Sequence, residues 1–173
     1  MIIIVSLNYI CNVENNIETA DSSTSFSLNV SIVAFTITGN TLEILLTQRN
    51  QGPFRDAWEL PSSSIHHEEN PDATVLRKLE DLTRKSIPIT HLEQLATYGA
   101  PERDPRMRTI SIGYLAVVPN FRKFEKPGLA INTEAIPIRE IKQGNIKFAF
   151  DHETIANNAI QRIQSKLEYT NIA

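Results

Sequence analysis

At 173 residues the chain suits a single domain with one sizeable core. Its net charge of −3, from 17 Lys and Arg against 20 Asp and Glu, lacks the basic excess of a general nucleic-acid binder. A single cysteine, Cys11, excludes an internal disulfide and a multi-cysteine metal site, and it points to a reducing, cytoplasmic compartment.

Residues 1–10 are apolar but too short to cross a membrane, and no basic lead or small-residue cleavage site accompanies them. They read as a strand or as an arm against a partner. The polar stretch that follows reads as a linker, so 1–27 stand apart from a domain at 28–173. The β-branched and aromatic run at 30–35 predicts a strand. Thr38-Gly39-Asn40-Thr41 is a turn signal, and 42–49 make the return strand of a hairpin. A Gly-Pro-Phe loop at 52–56 leads to Trp58. Pro61 biases Leu60 toward an extended backbone, and polar 62–69 predict a loop. Asn70 as N-cap and Pro71 in the first turn then start a helix. Its expected apolar stripe is Ala73, Leu76, Leu79 and Thr83, flanked by Val75 and Leu82.

Beyond that helix, 89–98 read as a strand and 101–108 as a charged loop with two prolines. In 109–118, Ile110, Ile112 and Tyr114 alternate with Thr109, Ser111 and Gly113, as in a strand. A basic, aromatic loop is expected at 120–128 and one more short strand within 129–141. Asp151 reads as the N-cap of a last helix, with Ile155, Ala159, Ile163 and Leu167 on one stripe. Strands before, between and after two helices, without regular alternation, give an α+β or α/β class.

The stretch 58–87 resembles the Nudix box, G-x5-E-x7-R-E-U-x-E-E-x-G-U with U aliphatic, and it does so without a gap. Ser63 falls on the first Gly, Glu69 on the first Glu, Arg77 on the Arg and Leu79 on the aliphatic position. Lys78 stands for the next Glu, and Asp81 and Leu82 for the Glu pair. Arg84 and Lys85 stand for the closing Gly and aliphatic. The preceding strand, Gln48-Arg49, the Pro-Phe loop and Trp58-Glu59-Leu60-Pro61 also follow the Nudix order. The segment with Arg103-Asp104-Pro105-Arg106 and the segment with Ala149-Phe150-Asp151-His152 are similar to Nudix-domain transcriptional regulators of NAD and sugar metabolism.

The resemblance implies an α/β fold, a mixed sheet in an α/β/α sandwich. It also implies a domain that binds an ADP-ribose-like effector through a degenerate box. In those regulators a winged helix follows at about Ala173, so DNA contact is expected only through a domain outside this sequence. A homodimer is expected as well.

Diphosphate cleavage builds negative charge on oxygens. Mg²⁺ held by carboxylates neutralises that charge. Box glutamates at i, i+3 and i+4 would share a helix face, but here that face carries Lys78, Asp81 and Leu82, and Glu80 points about 100° away. At most weak Mg²⁺ binding, by Glu69 and Asp81, is expected. If the chain hydrolyses at all, Glu69, Glu80 and Asp81 are the residual candidates.

The resemblance implies that Arg77 orients the loop by pairing with Glu69 or a backbone carbonyl. The resemblance places Arg103, Arg106 and Arg108 in a loop of ligand or partner contacts and Arg49 facing the same region, and a guanidinium fork suits a pyrophosphate, so these four are candidate ligand contacts. Asp104 can instead hold its loop through a neighbouring arginine. Phe54 and Tyr114 can stack on a base or fill the core. His66 and His67, adjacent in an extended segment, face opposite ways and make an awkward metal pair. Ser62, Ser63 and Ser64 replace loop glycines, which predicts an altered or strained path. Three readings stay open: a sensor of a nucleotide or phosphosugar, a weakened Mg²⁺-dependent pyrophosphohydrolase, and a dimerisation module.

Overall fold

The computed structural model describes residues 25–83, 88–119, 121 and 132–170. The expectations for 1–24, for Arg84 and Lys85, and for most of the basic loop at 120–128 lie outside the described residues.

The first strand, β1 (Ser27–Thr38), is buried on both faces over most of its length. Its even residues Val30, Ile32 and Ala34 enter one core, and its odd residues Val33 and Phe35 enter another. A strand apolar on both faces belongs in the middle of a covered sheet. Gly39, at φ 59°, makes the turn to β2 (Thr41–Gln48), a left-handed conformation that glycine adopts at little steric cost. β1 also pairs in parallel with β6 (Thr109–Val117), and β6 pairs antiparallel with the edge strand β5 (His91–Tyr98).

β1 and β2 pair only over 41–44 and then splay. The gap is filled by one short stretch. Its first part, β3 (Trp58–Glu59), pairs with the end of β2, and its second, β4 (Ser62–Ser64), pairs with the start of β1. On its other edge β2 pairs with β7 (Thr133–Pro137), the short strand expected within 129–141.

Helix α1 (Pro71–Thr83) covers one face, packing Val75 and Leu79 on Val30, Ile32, Ala34 and Leu45. The short α2 (Ile138–Lys142) and the long α3 (His152–Thr170) cover the other, where Ile141, Ile155, Ala156, Ala159 and Ile160 meet Val33, Phe35, Leu46 and Leu115. The three layers are the expected α/β/α sandwich.

Three local expectations are corrected. The buried line of α1 is Val75, Leu79 and Leu82, with Thr74 fully buried beside it, while Leu76 is 44% exposed. Two polar contacts set this rotation: the Thr74 hydroxyl and the Arg77 guanidinium both donate to Glu69, which turns Leu76 outward. The three serines are not loop but strand. Each pairs with β1, and none is among the positive-φ residues of the described chain, so no glycine is needed there. Asp151 precedes α3, but its carboxylate pairs with Arg103 instead of capping the helix. Asn70 does cap α1, accepting from the Ala73 N–H at 2.8 Å.

These placements separate two leucines of one helix. Leu79→Ala is expected to cost about 2–5 kcal/mol, as for a fully buried leucine, and Leu76→Ala within about 0.5 kcal/mol. Urea unfolding of both variants measures the difference.

Candidate functional site

The box region is organised by one carboxylate. Arg77 Nε donates to Glu69 Oε1 at 2.6 Å and Nη2 donates to Oε2 at 2.9 Å. Thr74 Oγ1 and the His66 N–H also donate to Oε2, at 2.9 and 3.3 Å. Arg77 Nη2 reaches the Ser63 hydroxyl and the Ser64 carbonyl, both at 3.2 Å. Arg77 thus joins α1, β4 and the loop between them. Its hydrogen bonds hold the Glu69 carboxyl down at about 2.

Both Glu69 oxygens are therefore engaged by donors. Lys78, half-buried, presents a cation, and Leu82 is 5% exposed. Asp81 is exposed and 3.9 Å from Arg77. Glu80 is also exposed, and so are His66 and His67. Among the described residues no three His, Cys, Asp or Glu side chains gather as a metal site. A donor set with one carboxylate clamped by arginine, a lysine and a buried leucine does not fit hard Mg²⁺.

A second assembly lies where β2, the loop before β6 and the start of α3 converge. At its centre is Phe150. Arg49 Cζ stands 4.9 Å and Arg106 Cζ 5.1 Å from its ring centroid. Phe54 meets the ring edge-on at 4.9 Å, and His152 lies tilted at 5.4 Å. Arg49, Arg103 and Arg106 each have an acid. Arg49 pairs with Glu59, and its Nε donates to the Pro53 carbonyl at 2.8 Å. Arg103 grips Asp151 through two bonds of 2.8 and 2.6 Å and is 3% exposed. Arg106 grips Asp104 through bonds of 2.9 and 2.6 Å but stays 54% exposed. The Arg106 guanidinium holds the Asp104 carboxyl below the usual carboxylate range. Arg108, exposed, donates weakly to the carbonyls of Ala100 and Thr109.

So the four candidate arginines do not form one free cluster. Arg49 and Arg103 are enclosed, and Arg106 and Arg108 face solvent. Asp104 holds its loop, as the alternative reading had it. The two candidate aromatics also part. Tyr114 is 3% exposed and its O–H donates to Asp72 at 2.5 Å, so it is core and ties β6 to the first turn of α1. Phe54 is 41% exposed and belongs to neither core. Sequence reasoning missed Phe150 and His152 as the hub. The Ala-Phe-Asp-His run was in view, but only the folded chain brings it to Arg49 and Arg106.

His152 is buried, and its Nδ1 accepts the Leu60 N–H at 3.0 Å. An unprotonated Nδ1 is needed for that bond. Burial pushes the imidazole down to about 4.

Residues 27–156 match the sequence family described as the NUDIX domain. The chain belongs to the NUDIX family. Among its relatives is the ADPR responsive transcriptional repressor NtrR of Acinetobacter baylyi, 26% identical over 83% of this chain and 56% of that protein. The ADP-ribose pyrophosphatase of Methanocaldococcus jannaschii is 30% identical over 65% of this chain and 63% of that one. This NUDIX chain therefore aligns with less than two thirds of either curated relative. The crystal structure of the NUDIX domain of Shewanella oneidensis NrtR complexed with ADP ribose superposes with a TM-score of 0.64 at 29% identity, over 81% of this chain and 90% of that domain.

His152 carries a pH prediction. The unfolded imidazole takes a proton below about 6.5, and the folded one only near 4. Stability is therefore fully present above the unfolded value and falls as pH drops from 6.5 toward 4, by up to about 3 kcal/mol. Chemical denaturation at pH 7 and pH 5 is expected to show this loss in the parent and a flatter dependence in His152→Gln.

Proposed function

We propose that this domain senses ADP-ribose or a closely related nucleotide or phosphosugar, and that it hydrolyses its ligand little or not at all. The observation that carries the reading is the box itself. Its fold-holding pair, Glu69 and Arg77, is intact, while its helix offers Lys78 and a buried Leu82 where the family pattern has glutamates. The frame of the site is kept without a donor set for Mg²⁺. The Acinetobacter repressor and the Shewanella domain, one responsive to ADPR and one complexed with ADP ribose, support the same ligand class.

In this reading Arg106 and Arg108 contact the ligand's phosphates, and Arg49 and Arg103 position the loops from behind. Arg106 can exchange Asp104 for a phosphate because it is already at the surface. The domain works as a homodimer in the cytoplasm, and any DNA contact belongs to a separate domain. Among the described residues no helix is long and apolar enough to cross a membrane. The similarity to the Methanocaldococcus pyrophosphatase favours a second reading, Mg²⁺-dependent hydrolysis with Glu69, Glu80 and Asp81 as the remaining acids.

Calorimetry and product assays decide between them. ADP-ribose is expected to bind without metal, and Arg106→Ala to weaken it about tenfold to a hundredfold, the loss of one charge-assisted contact. AMP release with Mg²⁺ is expected at least about 10³-fold below an ordinary turnover of 1–10 per second. Ordinary turnover would establish the hydrolase instead. No binding at millimolar ligand would leave the dimerisation reading.

A further inference from the structure

We propose that Phe54 is a stacking platform for a flat heteroaromatic ring, so that the site selects a nucleotide over a phosphosugar that lacks a base. The inference rests on the sensor reading and adds a specificity-determining residue to it.

The first ground is exposure. Phe54 is one of the large apolar side chains left open, and it belongs to neither core. The second is backbone conformation. Among the described residues three non-glycines have positive φ: Phe54 at 63°, Asp56 at 64° and Phe150 at 55°. Two of the three are the aromatic pair in edge contact, and the third sits in the same loop. Bulky residues are rarely held this way, and such strain persists only where the surroundings over-determine it.

The third ground is how firmly the loop is held. The Arg49 N–H donates to the Ala57 carbonyl and the Asp56 N–H to the Arg49 carbonyl, each at 2.9 Å. The Ala57 N–H donates to the Phe54 carbonyl at 3.2 Å, Gln48 Nε2 to the Asp56 carbonyl at 3.2 Å, and Arg49 Nε to the Pro53 carbonyl. Phe54 is thus presented by a closed loop, and little ordering remains to be done when a ring lands on it.

The fourth ground is charge. The ring that Phe54 touches carries the guanidinium groups of Arg49 and Arg106 within about 5 Å, and Arg106 opens to solvent. An exposed aromatic ring joined through Phe150 to an accessible arginine matches a molecule that is flat and apolar at one end and anionic at the other. A nucleoside diphosphate has that form, and a sugar phosphate has only the anionic end. Aromatic stacking of a base is worth about tenfold to a hundredfold in affinity.

The test measures ADP-ribose affinity by calorimetry for the parent, Phe54→Ala, Phe54→Leu and Phe54→Trp, with melting temperatures as a check on folding. Phe54→Ala and Phe54→Leu are expected to lose about tenfold to a hundredfold, and Phe54→Trp to bind like the parent. Indole emission of Phe54→Trp is expected to be quenched by ADP-ribose beyond any change seen in the parent, whose Trp58 is present in both. Undiminished binding by Phe54→Leu, or loss in Phe54→Trp as large as in Phe54→Ala, overturns the stacking role and leaves the sensor reading intact. If the parent binds no ADP-ribose, the sensor reading itself falls and the platform falls with it.

Discussion

The pairing of Glu69 with Arg77 is the constraint on which the box region depends. It closes the stretch between β4 and α1, sets the rotation of the helix through Thr74, and draws in Ser63 and Ser64. A carboxylate bound by a guanidinium fork has defined geometry as well as charge. The residues that hold the shape of this region are thus different from those that a metal would need. Shape and metal chemistry are separable: Glu69 and Arg77 hold the first, while the neighbouring helix face carries Lys78, Asp81 and Leu82.

The same economy of paired charge governs the Phe150 assembly. Arg49 with Glu59, Arg103 with Asp151 and Arg106 with Asp104 each satisfy one cation with one anion. Enclosing Arg103 without its partner would leave a buried charge uncompensated, which is strongly destabilising. The pair also ties the loop before β6 to the first residues of α3. A local group of arginines on a chain of net charge −3 is compatible with a stable fold because its field is largely cancelled in place.

Much of the architecture was legible in the sequence, and the reasons differ by element. The Glu69–Arg77 pair could be read because both residues fall on matching positions of the Nudix box, whose arginine orients the loop. The hairpin followed from its β-rich runs and the Thr38-Gly39-Asn40-Thr41 turn signal, whereas the pattern of elements gave only an α+β or α/β class and the three layers followed from the resemblance to the Nudix family. The rotation of α1 was not legible, because Leu76 and Val75 are equally apolar and only the contacts of Thr74 and Arg77 choose between them. Serines in place of glycines suggested a strained loop, but a strand pairing with β1 has no use for glycine's freedom. The Asp151 cap failed for a long-range reason: Arg103, 48 residues away, draws the carboxylate to itself through two bonds. Of Phe54 and Tyr114 the sequence shows two aromatics beside turns and strands. Burial is a property of the assembled layers, so it is seen only there.

The seven residues from Trp58 to Ser64 bridge the splayed strands, and they are fixed at both ends. Trp58 gives its N–H to the Lys147 carbonyl and accepts from the Ala149 N–H, so the lead into α3 is registered on the same stretch. A strand slipped by one residue turns every side chain to the opposite face. One residue inserted here would therefore misregister β3 or β4 and displace either the Phe150 assembly or the box. Surface turns such as Gly39-Asn40 tolerate changes of length far better, since nothing downstream is indexed to them. Over evolutionary time this stretch should be the part of the domain least able to grow or shrink, whatever ligand its descendants come to bind.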